Sequence, residues 1–270
     1  MVTETDLLAR IARGEKIERR DDMTPEYFQH LVNLMTQQAD SELAGGLGYV
    51  PWIAKAPTIE EKLAVASIVR DEIRHAKVMY SLLKDLGVDV EAHIGQHDYD
   101  FRLDDSEANI GTERLAADTR VNIFYYPIDS WADFIMFNFC MDRGAGHQLE
   151  DVKNCSYAPW TRAIAGIFQE ELAHVGHGNY WVKKLAADPA TRDEAQLALD
   201  KWYVRTMNVF GRPGTRKNAE YRRFCLKLRD NQEVREAFTA EIHPLIREAG
   251  LTIPRWEPEW ATEDAVAIAG

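Results

Sequence analysis

No stretch of this 270-residue chain approaches the roughly 20 consecutive apolar residues that a helix needs to cross a bilayer. Its longest apolar-rich run is the short FIMFNFCM, so no membrane role is expected. The N-terminus, MVTETDLLARIARGEK, lacks the basic start and apolar centre of a secretory signal. Cysteine is scarce as well: Cys140, Cys155 and Cys225 are scattered, odd in number and without a C-x-x-C pair. That argues against a disulfide framework and fits a reducing cytoplasm. Positive charge is in deficit, with 32 Lys and Arg against 44 Asp and Glu and a formal net charge of −12. Nucleic acid is therefore disfavoured as a partner, because phosphate binding needs a basic surface. A local basic pocket for a phosphorylated ligand remains compatible with that balance. Alternating apolar and polar runs of the kind that build strands are also missing.

What the chain does have is helical periodicity nearly throughout, at an ordinary globular 46% hydrophobic and 28% charged residues. Thr24 followed by Pro25 and Glu26 predicts an N-cap with proline in the first turn, opening a helix to about Gly45. Thr58 and Glu61 predict a capping box for a second helix, with Gly87 as its stop. A third begins after Pro127, at Asp129 or Ser130, and runs to about Asn154. A fourth has Pro159 in its first turn and reaches about Ala187. The polar segment Gly95–Gly111 reads as an exposed loop, and shorter helices are expected over 192–208, 217–229 and 232–249. From Thr252 a tail with two prolines and two tryptophans reads as an extended strap or an interaction arm. No linker separates domains. The expectation is one all-α domain over 1–270, a four-helix bundle over about 24–187 with C-terminal helices and tail over about 188–270.

The chemistry lies where the apolar stripes are interrupted. In RDEIRHAKVMY, Glu72 and His75 stand three apart on the face that also carries Val65, Val69, Ala76 and Met79. QEELAH repeats the spacing with Glu171 and His174, flanked by Ile164, Ile167 and Val182. Either pair alone is weak, since composition makes one such spacing unsurprising. Together they are the only two Glu-x-x-His pairs in the chain. The preceding helices each supply a further carboxylate on the core stripe. Glu42 precedes Glu72 by 30 residues and Asp142 precedes Glu171 by 29. Equal offsets on two antiparallel pairs bring all six side chains to one level of the bundle. Asp133 competes with Asp142 but breaks that match.

Four carboxylates and two imidazoles buried together are costly unless compensated, and two divalent cations compensate them. A carboxylate- and imidazole-rich set suits iron or manganese, and a carboxylate from each of two helices plus Glu-x-x-His from the other two describes ferritin-like dinuclear sites. Asp71 and Glu170, one residue from the pairs, are expected to be solvated or to hold the imidazoles. His147 and His177 read as helix histidines rather than ligands. Tyr80 and Trp131 read as core.

With those residues identified, the chain resembles the catalytic subunits of phenylacetyl-CoA ring-1,2-epoxidases, through ADSELAGG, WIAKAPTIEEKLAVASIVRDEIRHA, SWADF and QEELAH. FIMFNFCMDRGAGHQL is also similar to the oxygenase component of benzoyl-CoA epoxidase. The resemblance implies a ferritin-like fold and two iron ions held by Glu42, Glu72, His75, Asp142, Glu171 and His174. It also implies epoxidation of an aryl-CoA ring with O2 as co-substrate. Electrons would come from an NADPH-dependent flavin and iron–sulfur reductase, and the partner would be a homologous structural subunit or further copies of the chain. CoA phosphates would need cations, and Arg212, Arg216, Lys217, Arg222, Arg223 and Lys227, or Lys55, Lys62 and Arg70, are available. The Gly95–Gly111 segment is longer than the family pattern and the C-terminal tail shorter. Other readings are an oxygenase for a different aromatic or carrier-bound substrate, a ferroxidase, and a non-catalytic scaffold.

Overall fold

A computed structural model of the chain describes residues 2–115, 117–258 and 260. Its elements are α1 (Glu4–Ala12), α2 (Pro25–Lys55), α3 (Ile59–Asp85), α4 (Val90–Gly95), α5 (Trp131–Phe137), a π-helical segment (Asn138–Asp142), α6 (Arg143–Val152), α7 (Ala158–Ala187), α8 (Arg192–Val209), α9 (Arg216–Arg223) and α10 (Asn231–Glu248). Among the described residues there is no strand, only an isolated bridge between Ile17 and Tyr157. The architecture is the expected all-α, ferritin-like bundle: α2, α3, α7 and the composite helix α5–π–α6, with α8 to α10 added outside.

The caps explain the starts. Thr24 Oγ1 accepts from the Tyr27 N–H at 3.2 Å, with Pro25 in the first turn. Ser130 and Asp133 form a full capping box at α5. At α3, Thr58 accepts from the Glu61 N–H at 3.3 Å, but the Glu61 carboxylate does not return the bond and goes to His177 instead. Gly87, at φ +88°, ends that helix as expected.

Gly45 does not end α2. The helix continues ten residues further, through Gly46, Gly48 and Pro51, to Lys55. These glycines mark close approach rather than a stop. A Cβ on Gly46 would lie 3.2 Å from the Glu72 Cβ and 3.4 Å from the Ile73 backbone nitrogen, so α2 and α3 meet there nearly backbone to backbone. The 217–229 expectation shrinks to α9, which closes at Arg223 before Cys225 takes a positive φ of 50°.

The Gly95–Gly111 segment is more tightly held than its polarity suggests. Asp40, fully buried on α2, accepts hydrogen bonds from Tyr80 Oη (2.7 Å), Tyr99 Oη (2.9 Å), and Thr119 N and Oγ1 (3.0 and 2.9 Å), and contacts His93 Nε2 at 2.9 Å. Arg120 forms a buried ion pair with Asp118 at 2.7 Å, and Arg102 donates to the Ala44 carbonyl at 2.6 Å. Residues 252–258 run without helix, and Trp256 Nε1 donates to Asn208 Oδ1 at 2.8 Å, as a strap would. Most of the tail beyond lies outside the described residues.

Two apolar clusters fill the bundle. One gathers Leu31, Met35, Ala39, Ala76, Met79, Ile164 and Ile167; the other gathers Tyr49, Val65, Phe134, Trp181, Val182 and Trp202. On α2, α3 and α7 the chain passes from one cluster to the other, and the predicted carboxylates and imidazoles occupy the level between them.

Candidate metal centre

Five of the six expected side chains are buried at that level, with Glu72, His75, Asp142, Glu171 and His174 between 0 and 7% exposed. The Glu42 side chain is 12% exposed. Oxygens of Glu42, Glu72 and Glu171 and a ring nitrogen of His75 all lie within 4.8 Å of one another. His75 Nδ1 is 3.1 Å from Glu171 Oε1 and 3.6 Å from Glu42 Oε2. His174 Nδ1 is 3.2 Å from Glu72 Oε1 and 3.6 Å from Glu171 Oε2. Each imidazole thus faces the glutamate of the other helix, and Glu171 lies between the two rings.

The outer nitrogens face carboxylates of the opposite helix, and that of His75 is hydrogen-bonded. His75 Nε2 meets Glu170 on α7 at 2.7 Å, and His174 Nε2 faces Asp71 on α3 at 3.8 Å. Arg74 pairs with the same Glu170. Glu170 therefore holds the His75 imidazole, the second of the two roles expected for this pair of carboxylates, whereas Asp71 accepts from Arg70 and makes no hydrogen bond to His174. On α2, Trp160 Nε1 donates to Gln38 Oε1 at 2.9 Å and Gln38 Nε2 donates to Glu42 Oε1 at 3.2 Å, which orients that carboxylate.

Asp142 arrives by a route that periodicity does not reveal. The third helix is not regular: residues 138–142 form a π turn. Such turns are rare and gather at functional sites, and the extra residue turns everything beyond it about the helix axis. The π turn is supported from two sides. The Arg143 guanidinium donates to the Phe139 carbonyl, to Asn179 Oδ1 at 2.6 Å and to Glu241 Oε1 at 2.8 Å. Across from it, Gly178 of α7 lies so close that a Cβ there would sit 2.8 Å from the Phe139 backbone nitrogen. Asp142 Oδ1 accepts from Tyr49 Oη at 3.4 Å, and Oδ2 has no partner. Asp133 lies elsewhere. It caps α5, accepts from Trp202 Nε1 at 2.7 Å and pairs with Lys201 at 3.0 Å. His147 pairs with Glu241 at 2.8 Å, away from the cluster.

The electrostatics are those of a buried site in which carboxylates outnumber imidazoles. Burial, the largest cause, and then the charge of Glu171 push the Glu72 carboxyl well above its ordinary range, and burial does the same to Asp142. Glu171 is the exception: burial would raise it, but His174 and His75 hold it down to about 2. Burial would lower both imidazoles, yet contacts with Glu171 and Glu42 bring His75 up to about 10, and contacts with Glu171 and Glu72 bring His174 up to about 12. Despite distances of 3.1 and 3.2 Å to carboxylate oxygens, neither Nδ1 makes an aligned hydrogen bond. Buried nitrogens aimed past their oxygens, beside a free Asp142 oxygen, form a donor set that fits cations between them.

A cleft opens from this cluster, lined by Tyr49, Val121, Phe124, Phe137, Met141 and Leu149 and reaching Lys227. A second cleft shares Leu34, Gln37, Val121 and Lys227 with it and carries Arg114, Lys217 and Tyr221. Of the nine cations suggested by sequence, Lys217 and Lys227 line these clefts. Lys62 donates to the Ala54 and Ala56 carbonyls at the end of α2, Arg223 pairs with Glu4, Glu26 and Glu220, and Arg70 pairs with Asp71. Arg114, in a polar connecting segment, carried no sequence signal.

No described helix is long and apolar enough to cross a membrane. A profile of the phenylacetic acid catabolic proteins matches residues 3–265. The chain is also 29% identical over 266 residues to one subunit of the 1,2-phenylacetyl-CoA epoxidase of Escherichia coli (strain K12), covering 97% of this chain and 81% of that one. With the bundle and its carboxylate–imidazole cluster described, these matches lead to one conclusion: the chain belongs to the phenylacetic acid catabolic protein family, an enzyme family with a ferritin-like fold.

Proposed function

We propose that this chain is the oxygenase component of a multicomponent monooxygenase that epoxidises the aromatic ring of an aryl-CoA thioester such as phenylacetyl-CoA. The observation that carries the reading is the carboxylate–imidazole cluster at the inner end of an apolar cleft whose outer end joins a basic one. Glu42, Glu72, His75, Asp142, Glu171 and His174 would hold two iron ions, with Glu170 fixing the His75 imidazole. The chemistry iron supplies there is reduction of O2, one atom going to the ring and the other leaving as water, with both electrons drawn from NADPH through a flavin and iron–sulfur reductase.

The protein's own contribution is enclosure and grip. Phe124, Phe137, Met141 and Leu149 keep water from the reacting ring. At the outer end Lys217 is pushed below its ordinary range by burial and by the neighbouring charge of Arg114, and burial lowers Lys227. Crowded, partly desolvated cations of this kind are relieved by an anion, which fits the phosphates of CoA. The relative's designation as one subunit of an epoxidase supports assembly with partner subunits.

The test is oxygen uptake by the iron-loaded protein with phenylacetyl-CoA, NADPH and a cognate reductase, with the product read by mass spectrometry. The expected result is substrate-dependent uptake and a product heavier by one oxygen atom. Uptake with no aryl-CoA tried, but with a free or carrier-bound aromatic, would replace the substrate assignment.

A further inference from the structure

Behind Asp142 a line of side chains leads from the cluster towards the surface, and every link in it is within bonding distance. Tyr49 Oη donates to Asp142 Oδ1 at 3.4 Å. Asn138 Nδ2 donates to Tyr49 Oη at 3.2 Å. His177 Nδ1 lies 3.3 Å from Asn138 Oδ1, and His177 Nε2 lies 2.9 Å from Glu61 Oε2. Tyr49 and Asn138 are fully or almost fully buried, while the His177 and Glu61 side chains are 13 and 15% exposed.

With the Asn138 amide nitrogen turned to Tyr49, the hydrogens along this line follow in order. Tyr49 has a single hydrogen, and with Asn138 donating to its oxygen that hydrogen goes to Asp142. The Asn138 amide oxygen then faces His177, so Nδ1 carries a hydrogen. Nε2 on the far side of the ring meets Glu61 Oε2 at 2.9 Å, which fixes the ring in place. Turning the Asn138 amide over would send the Tyr49 hydrogen to Asn138 and leave Asp142 Oδ1 without a donor.

We propose that His177 and Glu61 are positioning residues for the metal centre. They lock the Asn138 amide so that Tyr49 always donates to one oxygen of Asp142, leaving the other, Oδ2, single and free for a cation. The same lock explains why Glu61 leaves the helix cap that its position predicts, and why Asn138 sits in the π turn. The inference rests on the dinuclear reading of the cluster.

The test is a cobalt(II) titration of the metal-free protein, followed by visible absorption, on wild type, Tyr49→Phe, His177→Gln, Glu61→Gln and the Tyr49→Phe/His177→Gln double variant. Thermal melts compare their folding. Partners one step removed from a metal typically contribute 10- to 100-fold in affinity. Tyr49→Phe and His177→Gln are therefore each expected to weaken one of two cobalt sites by about that range, with Glu61→Gln in the same direction. The double variant should bind no more weakly than Tyr49→Phe alone, because His177 acts through Tyr49. Wild-type affinity in His177→Gln and Glu61→Gln, or losses that multiply in the double variant, would overturn the inference. Failure of the wild type to take up cobalt would overturn the metal centre itself, and this inference with it.

Discussion

Each imidazole in the cluster has to give up a proton before its nitrogen can bind a cation. In the metal-free protein the surrounding carboxylates push His75 up to about 10 and His174 up to about 12, which favours the imidazolium form of both at neutral pH. Protons therefore compete with metal, and affinity rises with pH by a factor of about ten per unit for each proton displaced. Loading both sites at pH 7 is expected to release at least two protons, measured by calorimetry in buffers of different protonation enthalpy. Uptake without proton release would mean that the rings are not ligands. At this scale the sequence was legible where chemistry contradicted periodicity: Glu72, His75, Glu171 and His174 stood out as polar groups on apolar stripes. Tyr49 did not stand out, although it lies seven residues, two helical turns, beyond Glu42 on the same face. An aromatic on a core stripe looks like packing, and only the hydroxyl's partner, Asp142, distinguishes the two roles.

Among the elements, the composite third helix is the one whose geometry most affects the site. Gly178→Ala would drive a Cβ into the Phe139 backbone. It is expected to cost about 1–3 kcal/mol of stability, as overpacking does, and to weaken metal binding by displacing Asp142. Gly166→Ala on the same helix meets nothing within 4 Å and should stabilise by about 0.5–1 kcal/mol. Thermal melts of the two variants check both signs. Asp40→Ala removes the anchor of the segment running from α4 to α5 and leaves several buried donors unpaired. A loss of about 3 kcal/mol is expected, with proteolysis appearing in residues 96–117. Helix starts were readable because caps are local chemistry, but two features were not. The passage of α2 through Gly45 and Gly46 depends on how near α3 comes, and the π turn depends on Arg143, Asn179 and Gly178 meeting across helices. Neither is written in local periodicity.

Across the whole molecule, one apolar cluster joins bundle residues such as Phe134 and Trp181 to Trp202 and Phe238 of the outer helices. We treat the chain as a single domain on that ground, and one cooperative thermal transition is expected. The clefts also span elements distant in sequence, bringing Arg114 beside Lys217 and Lys227. This is why a search for basic runs found only part of the lining. Arg114→Ala and Lys217→Ala are each expected to weaken aryl-CoA binding about tenfold or more, from charge-assisted bonds of about 1.5–3 kcal/mol. Cobalt affinity should be unchanged, as fluorescence competition and metal titration would separate. All of this depends on the centre between the two apolar clusters. The most direct test is metal analysis of protein produced with ample iron, alongside the Glu72→Ala and Glu171→Ala variants. Two irons per chain are expected in the wild type and fewer than one in either variant at unchanged fold. Iron absent from the wild type, or retained in full by both variants, would contradict a dinuclear centre.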